Sequence, residues 1–340
     1  MPLQITRIYK RVLGSPKKRR LLRRRALRFL LLGPKFLVEG PLLGIGPRRL
    51  RMWALLNLRH KGPSLTPSFI RPRDYNEKIQ WLKLFDQRIE QVQCSDKLGL
   101  RYYVQGRGLD VRMPEVLWSG IDADEIPWDA LPDQFVVKTN HDSGSVWLIN
   151  DKTGVNRADL NSQIRESLGR LYGVDTLEWP YVHIEPKVFV EQMLGFGGEP
   201  PPDYKFHCVN GRVAFLQLIK GRYTSSTDQA VFDRDGVKQP HALDTRFIPS
   251  TQISAGPQFE YLRDCAEQIA AGWRYVRVDL YLWEDTAWLG EMSFFPMAGW
   301  YRGEGQIHFG RKIAIDTSKR YPPVSNGERL FRQSASYVGR

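Results

Sequence analysis

Cysteine is scarce in this chain. Its 340 residues hold three, Cys94, Cys208 and Cys265, odd in number and far apart. That excludes a disulfide framework and a cysteine metal cluster, and it predicts buried, reduced thiols in a cytosolic protein. Long apolar runs are missing as well. In the first 62 residues Arg28, Pro34, Lys35, Glu39 and Pro41 interrupt the leucines, so nothing approaches the roughly 20 apolar residues of a spanning helix. Small residues of the Ala-x-Ala type are absent there, and the charged stretch is too long for a cleaved signal peptide. Acid is the scarcest feature of that segment. It carries Glu39 alone against 17 Lys and Arg, which leaves 33 of the 50 basic and 36 of the 37 acidic residues to a near-neutral body. No Ser/His/Asp or Cys/His constellation is evident, and the six histidines are scattered.

What is present begins with the basic arm, residues 1–62, densest at Lys17–Arg20 and Arg23–Arg25. A basic, leucine-rich amphipathic segment suits an anionic membrane surface, a solvated disordered arm or phosphate contacts to nucleic acid. It has no pattern of stacking aromatics and no nucleic-acid motif, so no nucleic-acid partner is expected. The expected location is cytoplasmic, and peripheral at the inner face of the membrane if the arm binds lipid.

The body has ordinary globular composition, 42% hydrophobic and 26% charged, and enough length for two or more subdomains. The expected divisions are a helical or α+β region over 63–133, a catalytic region over 134–315 and a tail over 316–340. Asp74 and Glu77 form a capping pair opening a helix with Ile79, Leu82 and Ile89 inward. Ser95-Asp96-Lys97 begins another helix, running to Val104. A strand is expected over 113–118, an acidic loop over 121–132, and a strand over 134–139 with Lys138 near its end. The polar turn 140–145 (NHDSGS) follows, then a strand over 146–149. Such a loop can fold over phosphates through backbone N–H groups, but with Gly144 its one glycine the signal is weak, and taken alone the stretch reads better as an ordinary hairpin loop. A helix over 157–172, strands over 187–194, 203–208, 212–219 and 227–232, and a helix over 259–273 follow.

The chain then reaches RVDLYLWEDTAWLGEMSFFPMAG, residues 277–299. Residues 275–282 and 288–294 are aromatic and aliphatic, with Glu284, Asp285 and Thr286 between them, which predicts an antiparallel hairpin. Alternation puts Val276, Val278, Leu280, Leu282, Met292 and Phe294 on a core face, and Arg277, Asp279, Tyr281, Glu291 and Ser293 on a polar face. A loop centred on Asp285 pairs Asp279 with Glu291 and Arg277 with Ser293. Facing carboxylates repel. A Mg2+ ion, which takes one or two carboxylates plus phosphate oxygens, turns that repulsion into a site; a solvated acidic face is the alternative.

Seven stretches resemble the TupA-like (teichuronopeptide biosynthesis) ATP-grasp family: DYNEKIQWLKLFDQR, CSDKLGLRYYV, DQFVVKTNHDSG, HIEPKVFVEQML, DYKFHCVNGRV, RVDLYL and GEMSFFPMAGW. They lie in order over residues 65–315, and the hairpin with DYKFHC is the most specific. The resemblance implies an α+β ATP-grasp fold, two α+β subdomains gripping ATP between them; the basic helical arm and the tail lie outside it. It implies an ATP- and Mg2+-dependent carboxylate–amine ligase that forms an amide through an acyl phosphate. The acceptor would be a small-molecule or polysaccharide carboxylate, the donor an amine such as an amino acid, and the setting cell-surface polymer synthesis.

By the same resemblance, Lys97 and Lys138 hold the phosphates, and His141, Ser143, Gly144 and Ser145 belong to the loop closing over them. Glu191, Gln192 and Leu194 lie in the segment holding adenine and ribose, with Asp203 and Lys205 facing the site. Lys220 or Arg222 supplies a further basic contact. Asp279, Glu291 and Ser293 are the metal ligands, Ser293 standing where many relatives place asparagine. Arg277 would steady the anionic intermediate. Two rival readings remain: a glycosyltransferase, for which Asp122-Ala123-Asp124 is the DxD-like candidate, and a non-catalytic nucleotide-binding module docked on membrane.

Overall fold

The computed structural model describes Leu37 and residues 47–59, 66–195, 201–221, 227–244, 250, 252–303 and 305–320. Most of the basic arm, most of the tail, and Arg222 lie outside them. None of the described helices is long and apolar enough to cross a membrane.

Among the described residues ten strands form two antiparallel sheets. The smaller has the order β1 (Val116–Gly120), β4 (Val188–Gln192), β2 (Phe135–Thr139), β3 (Val146–Ile149). The larger has the order β10 (Thr286–Ser293), β9 (Tyr275–Trp283), β5 (Asp203–Val209), β6 (Arg212–Lys220), β7 (Asp228–Asp233), β8 (Lys238–Gln239). Each sheet has its own apolar core. The small one gathers Phe135, Val137, Val188 and Val190 with Leu160 and Ile164 of one helix and Ala123–Leu131 of the preceding loop. Since β1 pairs with β4, residues 116–192 form one unit, which cuts across the division expected after residue 133.

The larger core lies on both faces of the six-stranded sheet. Phe259–Ala270 forms a helix that buries Leu262, Ala266, Ile269 and Ala270, with Phe259 against Phe206 on the sheet. This is the face of Val276, Val278 and Leu280, all fully buried. The opposite face is closed at one end by the helix Tyr75–Phe85, here α2 after α1 (Pro47–Arg59). The Tyr75 hydroxyl lies 2.6 Å from that of Tyr275 on β9.

The N-terminus of α2 is capped as its sequence predicts. Asp74 accepts from the Glu77 amide at 2.8 Å, and Glu77 accepts from the amides of Arg73 and Ser68. The helix is nevertheless buried almost all round rather than along one stripe. Its buried polar side chains bond backbone on the segment after β10. Asn76 bonds Tyr301, Gln80 bonds the carbonyls of Ala298 and Gly299, and Lys83 bonds those of Ala298 and Thr176. Those bonds hold a turn in which Met297 and Ala298 both have positive φ, 50° and 53°, a conformation costly for residues other than glycine.

The helix expected to start at Ser95 is instead two short helices, α3 (Glu90–Ser95) and α4 (Gly99–Gly106). The break falls at Asp96–Leu98, because the Asp96 carboxylate accepts from the Leu98 amide and the Asn140 side chain. The helix expected over 157–172 ends at Leu168 and is α5 (Arg157–Leu168). Phe259–Ala270 is α6 and Gly305–Lys312 is α7, the last helix among the described residues.

Candidate active site

The polar face of the β9–β10 hairpin is the centre of the site. Asp279 pairs with Glu291 and Arg277 with Ser293, as expected, yet the turn differs. It is a two-residue turn, Glu284-Asp285, with φ of 49° and 54°, the type whose twist matches the strands it joins. Near the turn the pairing therefore runs one residue out of the expected register, Trp288 facing Tyr281 rather than Leu282. A bulge between Leu289 and Glu291 adds the missing residue and restores it. Gly290 sits at that bulge, where an added Cβ would lie 2.7 Å from the Tyr281 ring.

Register then extends the polar row across the sheet. Asp279 pairs with Lys205 of β5, and Lys205 with Gln217 of β6; beside this row Arg277 pairs with His207, and Asp203 with Tyr281. The face is buried at its centre, where Asp279 is 2% exposed and Arg277 9%, and opens at the half-buried Glu291. Its charges satisfy one another. Arg277 Nε donates to Asp279 Oδ1 at 2.6 Å, and Nη2 donates to Asp279 Oδ2 at 2.7 Å, to Glu291 Oε1 at 2.5 Å and to Ser293 Oγ at 3.1 Å. Lys205 Nζ donates to Asp279 Oδ2 at 2.5 Å and lies 3.7 Å from Asp203.

The ionisations follow. Burial raises the Asp279 pKa, and Arg277 and Lys205 offset only part of that rise. Burial opposes the charge on Glu291 too, but Arg277, Lys205 and Lys97 outweigh it and hold this carboxyl well below the usual range. Burial likewise opposes the Arg277 charge, and Asp279 and Glu291 outweigh it.

Three oxygens from Asp279, Glu291 and Ser293 thus converge on one cationic nitrogen. Among the described residues no group of three His, Cys, Asp or Glu side chains could hold a metal. Two carboxylates and a hydroxyl are a set that Mg2+ completes with phosphate oxygens and water, so the donors fit this ion once Arg277 Nη2 gives way.

The other cations gather on and beside the four-stranded sheet. Lys138 on β2 forms an ion pair with Glu191 Oε1 on β4, and Arg101 Nη2 of α4 holds Glu191 Oε2 at 3.1 Å. Lys97, at the break between α3 and α4, donates to the carbonyls of Thr139 and Asp142 at 3.1 and 2.5 Å. Burial lowers its pKa, Glu291 and Asp142 opposing, so its charge joins the loop after β2 electrically to the hairpin.

That loop is organised by Asp142, which is 2% exposed. Its carboxylate accepts from Thr139, Ser145 and Ser167 hydroxyls. Asn140 bonds Asp96, the Glu185 carbonyl and the Lys187 amide, pinning the Lys97 turn to the start of β4. The Ser145 hydroxyl is spent inside the loop and His141 is buried, whereas Ser143 and Gly144 are exposed. Gly144 has φ 95° and open space where a Cβ would stand. Gln192 and Leu194 are half-buried just beyond Glu191. Lys220 ends β6, exposed, opposite Asp228.

Two participants escape a reading of the sequence. Arg101 stands four residues beyond Lys97, a helical spacing that was the one signal for it. Asp142 gave no signal: Thr139 and Ser145, three residues either side, read as ordinary loop hydroxyls, and Ser167 meets it only in the folded chain. The DxD-like Asp122 and Asp124 are otherwise engaged: Asp122 accepts from the Asp124 amide, and Asp124 bonds Asn161 and Arg165.

No curated protein sequence matches the chain. Solved structures similar to it include a D-alanine–D-alanine ligase from Helicobacter pylori, 12% identical, covering 76% of this chain and 71% of that one with a TM-score of 0.39. A D-alanine–D-alanine ligase from Bacillus anthracis complexed with ATP is 14% identical over 77% and 72%, TM-score 0.37. An L-amino acid ligase from Bacillus licheniformis is 13% identical over 74% and 47%, TM-score 0.35. Likenesses this distant say nothing of this chain's chemistry. The family model described as TupA-like ATPgrasp matches residues 77–306, most of the chain and the whole of the site just described. The chain belongs to the TupA-like ATP-grasp family.

Proposed function

We propose that the protein is an ATP- and Mg2+-dependent carboxylate–amine ligase. The observation that carries this reading is the convergence of Asp279, Glu291 and Ser293 on one cationic position, with Lys97 charge-coupled to the same carboxylate. Lys97 and Lys138 bind phosphate oxygens, and the exposed Ser143-Gly144 tip of the loop closes over them. Gln192 and Leu194 border the nucleoside, and Asp203 and Lys205 line the floor. Lys220 or Arg222 would supply a further basic contact to phosphate. Asp279, Glu291 and Ser293 hold Mg2+. Bound there, the ion neutralises charge that develops during phosphoryl transfer.

Arg277 leaves Glu291 and Ser293 as the site fills. Its guanidinium then stands beside the reacting carboxyl, where it donates to the oxyanion formed when an amine attacks the acyl phosphate. The amine loses a proton, phosphate departs, and an amide remains. The acceptor we favour is the carboxylate of a sugar acid in a cell-surface polymer, and the donor an amino acid. The basic arm would keep the enzyme at the cytoplasmic face of an anionic membrane. Nothing favours the glycosyltransferase reading, since Asp122 and Asp124 serve a loop cap and an ion pair.

The test is a substrate screen with ATP, Mg2+, sugar acids and amino acids, following ADP release and amide formation together. Coupled release of both is expected. Turnover of a UDP-sugar with none of ATP would overturn the ligase reading.

A further inference from the structure

Glu191 is 5% exposed, and each of its carboxylate oxygens is held by a different cation. One of these, Lys138, is the lysine assigned to phosphate. Its ammonium has three protons, so the bond to Glu191 is lost not by competition for a proton but when the side chain swings towards phosphate and draws Nζ away from Oε1. Its departure would leave a buried carboxylate short of a partner, which is strongly destabilising, and nucleotide binding would be weakened by that amount.

Arg101 is built to prevent this. It already holds Glu191 Oε2 through Nη2, and its Nε–H is buried with no hydrogen-bond partner. Nε and Nη2 are the adjacent donors with which a guanidinium grips a carboxylate side-on, one bond to each oxygen. Oε1, vacated by Lys138, is the acceptor that Nε lacks. We propose that Arg101 is a positioning residue that takes over both oxygens of Glu191 when Lys138 moves to the nucleotide. The exchange leaves every buried charge paired in both states. It rests on the reading of the site as a nucleotide site, and it gives Glu191 the role of counter-charge rather than of ribose ligand.

The test is calorimetric binding of ATP and of adenosine to the full chain without Mg2+, so that the hairpin carboxylates do not enter. Arg101→Met should weaken ATP binding by about tenfold or more and leave adenosine binding unchanged. The loss should vanish when Arg101→Met is combined with Glu191→Gln and compared with Glu191→Gln alone, because no buried charge is then left behind. Arg101→Lys keeps the charge without the side-on grip. It should lose less, and its loss must vanish with Glu191→Gln as well, so it carries the test if the methionine variant does not fold.

Unchanged ATP affinity in Arg101→Met would overturn the proposal. So would an equal loss in the Glu191→Gln background, which would place Arg101 directly on phosphate, or weaker adenosine binding in Glu191→Gln, which would return Glu191 to the ribose. A wild-type chain that binds no ATP would overturn the nucleotide site itself, and with it this proposal.

Discussion

Arg277 and Asp279 stand two residues apart on one face of β9 and share two hydrogen bonds of 2.6 and 2.7 Å. The candidate oxyanion donor and the candidate metal ligand are therefore each other's counter-ions. A metal that binds here has to displace part of a buried, charged pair. Nucleotide phosphates favour that exchange, because they bring oxygens for the metal and negative charge for the freed guanidinium.

The carboxylates consequently differ as targets. Asp279→Ala strips a buried anion from Arg277 and Lys205 and should cost about 3–5 kcal/mol of stability, so its loss of activity would report folding. Glu291 has a side chain 37% exposed, so Glu291→Gln should cost less stability than Asp279→Ala, although it removes the charge that Arg277, Lys205 and Lys97 favour. In that variant Mg2+ should no longer strengthen ATP binding. Titrations with and without Mg2+ decide the matter, and an undiminished Mg2+ effect would remove Glu291 from the metal site.

Gly290 is where the hairpin recovers its register. Gly290→Ala puts a methyl 2.7 Å from the Tyr281 ring, which must shift. Overpacking of this kind costs about 1–3 kcal/mol. Both the melting temperature and Mg2+-dependent ATP binding should fall, because Glu291 lies next in sequence. A variant as stable as wild type would show that the ring yields freely.

The turn offers the opposite change. Glu284 has φ 49°, a left-handed conformation that asparagine adopts more readily than glutamate. Glu284→Asn should stabilise the protein by about 0.5–1 kcal/mol, read as a shifted denaturant midpoint with unchanged ATP binding.

Asp74 predicts a pH dependence. Burial raises its pKa to about 6, against the amide hydrogen bond from Glu77, which lowers it. The folded value exceeds the unfolded one of about 3.9. Its favourable contribution is thus complete below about pH 4 and is lost as pH rises through 6. Asp74→Asn keeps a good capping residue without the buried charge. It should be more stable than wild type by about 1–3 kcal/mol at pH 7.5, with the gap closing towards pH 4. Parallel urea-unfolding curves at the two pH values would show that the carboxyl ionises freely.

Alternation along residues 275–294 sufficed to put Asp279, Arg277, Glu291 and Ser293 on one face, since side-chain direction in a strand is a local property with a period of two. The cap at Asp74–Glu77 was legible for the same reason, its partners lying three residues apart. The motifs from Asp74 to Trp300 carried the family. The turn and the bulge compensated for each other, so counting from an assumed loop reached the right pair through the wrong turn. Composition could not tell a solvated acidic face from a buried one. That depended on α2 and the segment after β10 closing over the sheet, and on Lys205 arriving from a strand some 70 residues earlier in the chain. The state of Glu191 was decided at the same level, because Lys138 and Arg101 reach it from a different strand and from a helix. Periodicity and capping are determined within a few residues. Which charges meet, and how far water is kept from them, is a property of distant segments brought together, and only the tertiary structure decided it.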